Sequence, residues 1–424
     1  MPRFFLVLLV ASLLVISAAT LTQDPDLSPD ARSLLMLAEP SDQSRAFVYL
    51  MGFDTRLDHS PEVAGQKVLV REQLHEQQTE NTTDIFQPAL PNDGIPLPQG
   101  PAFCHFKTPG CLKSLFELHA IESSLTPAES ELLSRWRRFH ALRDYRVLTT
   151  ASLEEPLPPY PHLVAAGRVS LRSIIRLAQN GQAHRARAAV LDDMQHMRQF
   201  LARESHMIGK MVAVSLLSDQ IDLLNALQQH FQLSPAQPLA PLSLKEKSLR
   251  MAMAREFALL SNGLFTMSGQ PDLLDSEHPM PAWLSRLLFK PGLTVNAALS
   301  VYQYPIAASE ISPAEFVAFV TAKNRPGPQA HWVRNPLGTV LNRVATPDMW
   351  VYAARLHDLD SKIQLFNAIN PPSPTAPGRH WINPYYPDDP TVALKPKARQ
   401  ICLKGPLEDS AGLRCLRGFA LGDL

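Results

Sequence analysis

Between residues 160 and 263 the chain places its apolar side chains at helical spacing over and over, and that spacing limits the fold more than any other feature. Ala183, Ala186, Val190, Met194, Met197 and Leu201 follow one another at steps of 3, 4, 4, 3 and 4, one apolar stripe along a helix. Val164, Leu171, Ile174 and Ala178 make a similar stripe before it, and Asn180-Gly181 between them supplies a left-handed helix stop. So short a connection folds the two helices into an antiparallel αα-hairpin. After Ser205 a third helix is apolar on two faces: Met207, Met211, Val214, Leu217, Ile221 and Leu224 on one, Val212, Leu216, Leu223 and Leu227 on the other. A helix of that kind sits between neighbours. A fourth is expected from Ser243 to about Asn262. The fold class that follows is all-α, a multi-helix bundle of antiparallel αα-hairpins. It is weakly solenoid-like, although no consensus of about 34 residues repeats through the chain.

Outside this block proline sets the punctuation. The 424 residues hold 38 prolines and only 18 glycines, which suits many helices joined by stiff connectors. Ser28-Pro29-Asp30, Thr126-Pro127-Ala128-Glu129 and Thr346-Pro347-Asp348 each read as an N-cap with proline in the first turn, the second with a full capping box. They open helices to about Leu37, Tyr145 and Ile369. Shorter helical patterns cover residues 44–53, 61–78, 112–123, 282–289, 313–321 and 337–344. Proline-rich stretches at 83–111 and 156–161 separate them. Eight prolines in 371–396 mark a linker.

Four cysteines fall in two local pairs, Cys104 with Cys111 and Cys402 with Cys415. Local disulfides are the economical reading in an oxidising compartment. The second pair would face across a hairpin of residues 401–403 and 413–416. Free thiols and a zinc site are the other readings, though the spacing lacks the tight C-x2–4-C of zinc knuckles.

At the start of the chain Arg3 precedes an apolar run from Phe4 to Ile16 that closes in Ser17-Ala18-Ala19. This is a secretory signal cut before Thr20 or, counted through Leu21, an uncleaved anchor of about 18 residues. Either reading sends the chain to the periplasm or the periplasmic face of an inner membrane, with membrane association through residues 4–21. The expected organisation is a signal or anchor at 1–19, a helical domain at 28–370, a linker at 371–400 and a cysteine-bridged hairpin at 401–424.

Residues 46–54 (Ala-Phe-Val-Tyr-Leu-Met-Gly-Phe-Asp), the Cys104–Cys111 segment, the 160–227 helices, Asn335-Pro336-Leu337-Gly338 and Tyr352-Ala353-Ala354-Arg355 occur in a telling order and spacing. Together they resemble a group of envelope-directed helical proteins of Gram-negative proteobacteria. The resemblance implies a bacterial host, the envelope and a helical fold, and it carries no assigned activity or functional residue.

Charge excludes some functions. Lys plus Arg and Asp plus Glu are 40 each, so no net field draws nucleic acid. Nucleophile-elbow, Walker A, dinucleotide-fingerprint, H-E-x-x-H and EF-hand motifs are absent from the sequence. Glu72-x-x-His75 and Asp193-x-x-His196 each set a carboxylate and an imidazole one turn apart, the spacing found in di-iron bundles. His196 lies off the apolar stripe, which favours a solvated face. Arg355, His357 and Asp358 form a second weak candidate for a polar site, although neighbours on a helix diverge by about 100°. Arg135, Trp136, Arg137, Arg138 and His140 make a basic, aromatic run suited to a wet helix face or to phospholipid headgroups. No catalytic residue, metal ligand or cofactor is expected from these patterns. The function they favour is a non-catalytic helical scaffold or binding protein of the cell envelope, its partner a protein or peptide of that compartment. An envelope enzyme of hydrolase type with a site assembled between helices, or a lipid-surface-binding protein, is the alternative.

Overall fold

Ser28, Ser44, Thr126 and Ser312 each hold an extended backbone and accept the third amide of the following helix on the side-chain hydroxyl. Each such cap stabilises its helix by about 1 kcal/mol. In the computed structural model the described residues are 23–79, 94–117, 125–234, 237–269, 281–322, 325–345, 348–371, 382–388, 395–397 and 400–418. Their helices are α1 (Pro29–Met36), α2 (Arg45–Met51), α3 (Pro61–Thr79), α4 (Cys111–Glu117), α5 (Pro127–Ala141), α6 (Tyr160–Leu177), α7 (Ala183–Arg203), α8 (Met207–His230) and α9 (Leu244–Lys247). They continue with α10 (Arg250–Gly269), α11 (Ala282–Leu288), α12 (Pro291–Glu310), α13 (Pro313–Thr321), α14 (Pro336–Ala345) and α15 (Trp350–Ile369).

The architecture is an all-α bundle of helical hairpins. Gly181, at φ 78°, turns α6 back onto α7 through a short π-helical segment. The two-faced helix α8 is the centre: it packs on α6, α7, α10, α15 and the C-terminal sheet. A second layer pairs α10 with α12, and α12 packs on α15. Where α2 meets α3, a Cβ at Gly65 would overlap the Val48 carbonyl, so this crossing needs glycine. At the C-terminus β1 (Lys395–Lys397), β2 (Gln400–Cys402) and β3 (Cys415–Arg417) form an antiparallel sheet in that order. Cys402 and Cys415 sit opposite each other in the β2–β3 ladder and are bonded, as are Cys104 and Cys111. Strand β1 adds to the hairpin read from the sequence.

Several boundaries differ from the sequence reading, each for a local reason. The helix expected from Ser243 lasts one turn; Ser248 is extended, and the Leu249 N–H donates to Ser309 Oγ at 2.9 Å before α10 begins. Helix α5 ends at Ala141, and Tyr145 beyond it turns inward among Phe47, Phe139 and Phe200. Helix α12 has no counterpart in the sequence reading, because Pro291-Gly292 and Pro305 look like breakers, yet Pro291 starts the helix and Pro305 lies inside it. The basic run on α5 is not a wet face throughout. Arg135 is buried and donates to the carbonyls of Phe53, Thr55 and Arg56 at 2.7–3.0 Å, closing the end of α2.

The expected membrane association and address need correction. Among the described residues no helix is long and apolar enough to cross a membrane. The longest, α8, carries Lys210, Asp219 and Asp222, which are buried inside the protein, so its apolar faces meet helices and not lipid. Residues 4–21, on which the single N-terminal span rested, lie outside the described residues. The correction is that the described residues hold no single N-terminal span, and the membrane association through 4–21 and the periplasmic location drawn from it find no support in them.

Candidate functional site

The five polar residues singled out in the sequence do not form one site. His357 is fully buried, and its Nε2 stands 2.8 Å from the Ala308 carbonyl of α12, with the ring against Phe316. Burial pushes its pKa down to about 4, so it is neutral. Asp358 turns the other way, to the C-terminal segment, where Tyr385 Oη donates at 2.5 Å and Arg414 Nη1 at 3.1 Å. Burial lifts its pKa to about 6 although Arg414 opposes the rise. Asp193 is buried and accepts from Ser170 Oγ at 2.7 Å and Trp136 Nε1 at 3.2 Å, with His140 Nδ1 at 3.4 Å. His196 stacks on His140 with ring centroids 4.8 Å apart, and its Nδ1 lies 2.8 Å from the Asp192 carbonyl. Asp193 and His196 thus meet the same side chain, His140, one through its Nδ1 and the other through its ring face. The side chain of His75 lies outside those described, and among the described residues no group of three or more His, Cys, Asp or Glu side chains is placed to hold a metal.

Two buried ionic networks occupy the core, and the sequence reading identified neither. The first joins residues from three segments. His206, at the head of α8, sets Nε2 2.8 Å from Glu155 and Nδ1 3.0 Å from Glu204, while Tyr145 Oη donates to Glu204 at 2.6 Å. Arg255 and Thr149 both bond the Glu155 carboxylate. Burial opposes a charge on His206, but its two carboxylate partners win and raise its pKa to about 9. Two cavities touch the edges of this network: one of about 20 Å3 lined by Tyr145, His140, His196 and Phe200, and one of about 1350 Å3 along α2 and α3 that Thr149 lines. Glu155, Glu204 and His206 themselves line neither.

The second network runs under the C-terminal sheet. On α8, Ser215, Ser218, Asp219 and Asp222 fall on one side, between the two apolar faces. Asp222 accepts from Lys362 Nζ of α15 at 2.8 Å and from Arg417 Nη1 of β3 at 2.8 Å, and also from the Arg417 N–H at 3.0 Å. Lys362 donates further to Ser218 Oγ at 2.8 Å. Asn225 Nδ2 donates to the Arg417 carbonyl at 2.8 Å. These bonds, with Arg414 on Asp358, fix the disulfide-clipped sheet to α8 and α15.

Beside this network lies a cavity of about 110 Å3. Both disulfide-closed loops reach it: His105 and Lys107 from the Cys104–Cys111 loop, Ala411 and Leu413 from the Cys402–Cys415 loop, with Arg417 just past it. Helix α8 gives Met211, Val214, Ser215 and Ser218, and α15 gives Arg355. Arg355 lies 4.9 Å over the Tyr352 ring and, like exposed Lys107, has no carboxylate partner among the described residues. His105 is neutral: burial, then Arg168, Lys107, Arg417 and Lys362, drive its pKa down to about 4. Its Nδ1 accepts the Lys107 N–H at 3.1 Å and stands 4.0 Å from Asp219, too far to bond it. Asp219 is buried, and burial with the nearby Asp222 raises its pKa to about 7 against the pull of Lys362, Arg168 and Arg417. Of the residues flagged in the sequence, Arg355 alone lines this cavity.

No family model matches the chain, and no curated protein or solved structure matches it significantly.

Proposed function

We propose that this protein is a non-catalytic helical binding protein whose ligand site is the cavity between its two disulfide clips. One observation carries the reading: two sequence-distant clipped loops and two core helices converge on a cavity lined by Lys107 and Arg355, basic groups without carboxylate partners among the described residues. Lys107 is exposed and Arg355 half-buried, so both can reach a ligand that enters the cavity from solvent. The binding reading is favoured over the enzyme alternative because Glu155, His206 and Glu204 are bonded to one another and none of them lines either cavity beside the network. Core helices beneath disulfide-closed loops are the support a preorganised site needs.

The test is a thermal-shift screen of the full chain against small metabolites of every charge, repeated on Ser215→Phe, which fills the cavity from α8. A ligand at one hundred times its Kd stabilises by about 2.7 kcal/mol. Ligands that raise the melting temperature of the native chain and not of Ser215→Phe support the reading. A library that shifts neither protein, or shifts both alike, contradicts it.

A further inference from the structure

We propose that the clip cavity takes a small tetrahedral oxyanion, a phosphate group either free or as the terminus of a small monoester, held between Lys107, Arg355 and Arg417. The inference rests on the binding reading above and names its ligand. Charge is the first argument. Around the cavity and the buried network under it stand Lys107, Arg168, Arg355, Lys362 and Arg417 against Asp219 and Asp222. Five cationic side chains facing two carboxylates leave a surplus of positive charge in a chain whose total is zero. His105 feels that surplus: after burial, Arg168, Lys107, Arg417 and Lys362 push its pKa down. Arg168 adds a buried Nε with no hydrogen-bond partner among the described residues.

Size is the second argument. The cavity's 110 Å3 is several times the roughly 10–15 Å3 that one water requires, room for a small tetrahedral anion. Valence is the third. A phosphate group carries about −1.5 to −2 at neutral pH, against −1 for a carboxylate, and offers three acceptor oxygens. The three basic groups come from three directions, a loop, a helix and a strand, which matches a tetrahedral ion better than a planar one. Ser215 brings a hydroxyl from the floor.

Asp219 makes the binding pH-dependent. It faces His105 from the first clip, Arg168 from α6, Lys362 from α15, Arg417 from β3 and Asp222 on its own helix. An anion in the cavity favours the neutral form of this carboxyl. Affinity for an ion of constant charge should therefore fall as Asp219 ionises.

Isothermal titration of the full chain tests the proposal, with inorganic phosphate, sulfate, glycerol phosphate and acetate as probes. Phosphate is expected to saturate one site, acetate to bind at least tenfold more weakly, Arg355→Gln to weaken phosphate at least tenfold and the exposed Lys107→Gln about threefold. Sulfate affinity is expected to fall severalfold between pH 6 and 8, and Asp219→Asn to flatten that fall. Competition by glycerol phosphate identifies a monoester terminus and its absence identifies the free ion; both support the chemistry. Phosphate binding left unchanged in Arg355→Gln and Lys107→Gln would overturn it, and Arg355→Lys, which keeps the charge, covers the case in which Arg355→Gln does not fold. If neutral or cationic ligands bind at the cavity and phosphate does not, the oxyanion fails while the binding reading stands. If nothing of any charge binds there, both fail.

Discussion

The Glu155–His206–Glu204 network and the Asp219–Asp222 network are both buried, both built on α8, and both shift the pKa of their members. They differ in balance and in space. Around His206 each ring nitrogen meets a carboxylate, Arg255 meets Glu155, and none of these four side chains lines a cavity beside the network. Under the C-terminal sheet the cations outnumber the carboxylates, and one of them, Arg417, itself lines a cavity of about 110 Å3. Burial and a perturbed pKa therefore do not tell a structural cluster from a binding site in this molecule. Surplus charge next to accessible volume does.

The contrast can be broken most forcefully at Asp222. Asp222→Ala leaves Lys362 fully buried beside Arg417 with no carboxylate bonded to either, and should cost about 3–5 kcal/mol in denaturant unfolding. A loss under about 1 kcal/mol would mean that the network does not hold the sheet down.

The His206 network should show itself through pH. Its folded pKa of about 9 stands above the unfolded value of about 6.5, so its stabilisation is complete below 6.5 and is lost as pH rises through 9. At about 1.4 kcal/mol per unit the loss is on the order of 3 kcal/mol. Urea midpoints between pH 7 and 9.5 should fall in the native chain and stay flatter in His206→Gln. Equal slopes would contradict the assignment.

Removing the clips should act next in size. Cys402→Ser with Cys415→Ser should cost about 2–4 kcal/mol and expose the amides of 400–417 to exchange, while the His206 region stays protected. Arg355→Gln should have the smallest effect on stability, within about 0.5 kcal/mol, since Arg355 makes no ion pair among the described residues, and yet it should weaken phosphate binding at least tenfold.

Much of the bundle was legible because helix caps and apolar spacing are local signals. Ser28 and Thr126 cap the helices expected of them, and the Ala183–Leu201 stripe is buried from Ala186 onward as its spacing demands. The missed helix α12 shows the limit: Gly292 and Pro305 are tolerated because α10 and α15 pack around it, a tertiary fact. The site was legible in fragments. Both cysteine pairs were evident, and His105 and Lys107 sit plainly inside the first. On α8 the polar stripe of Ser215, Ser218, Asp219, Asp222 and Asn225 lies between the apolar faces at steps of 3, 1, 3 and 3, a signal that could have marked a buried polar seam. What no local pattern holds is the partner. Arg417 reaches Asp222 across 195 residues, and Trp136 reaches Asp193 across 57. Asp193 and His357 looked like half-wet helix polar groups until those distant contacts covered them.

The most direct measurement is hydrogen exchange of the full chain with and without saturating inorganic phosphate. If the two clips share one ligand, residues 105–111 and 411–417 should gain protection together, and the segment around His206 should not change. Protection confined to one clip, or to neither, would contradict the account.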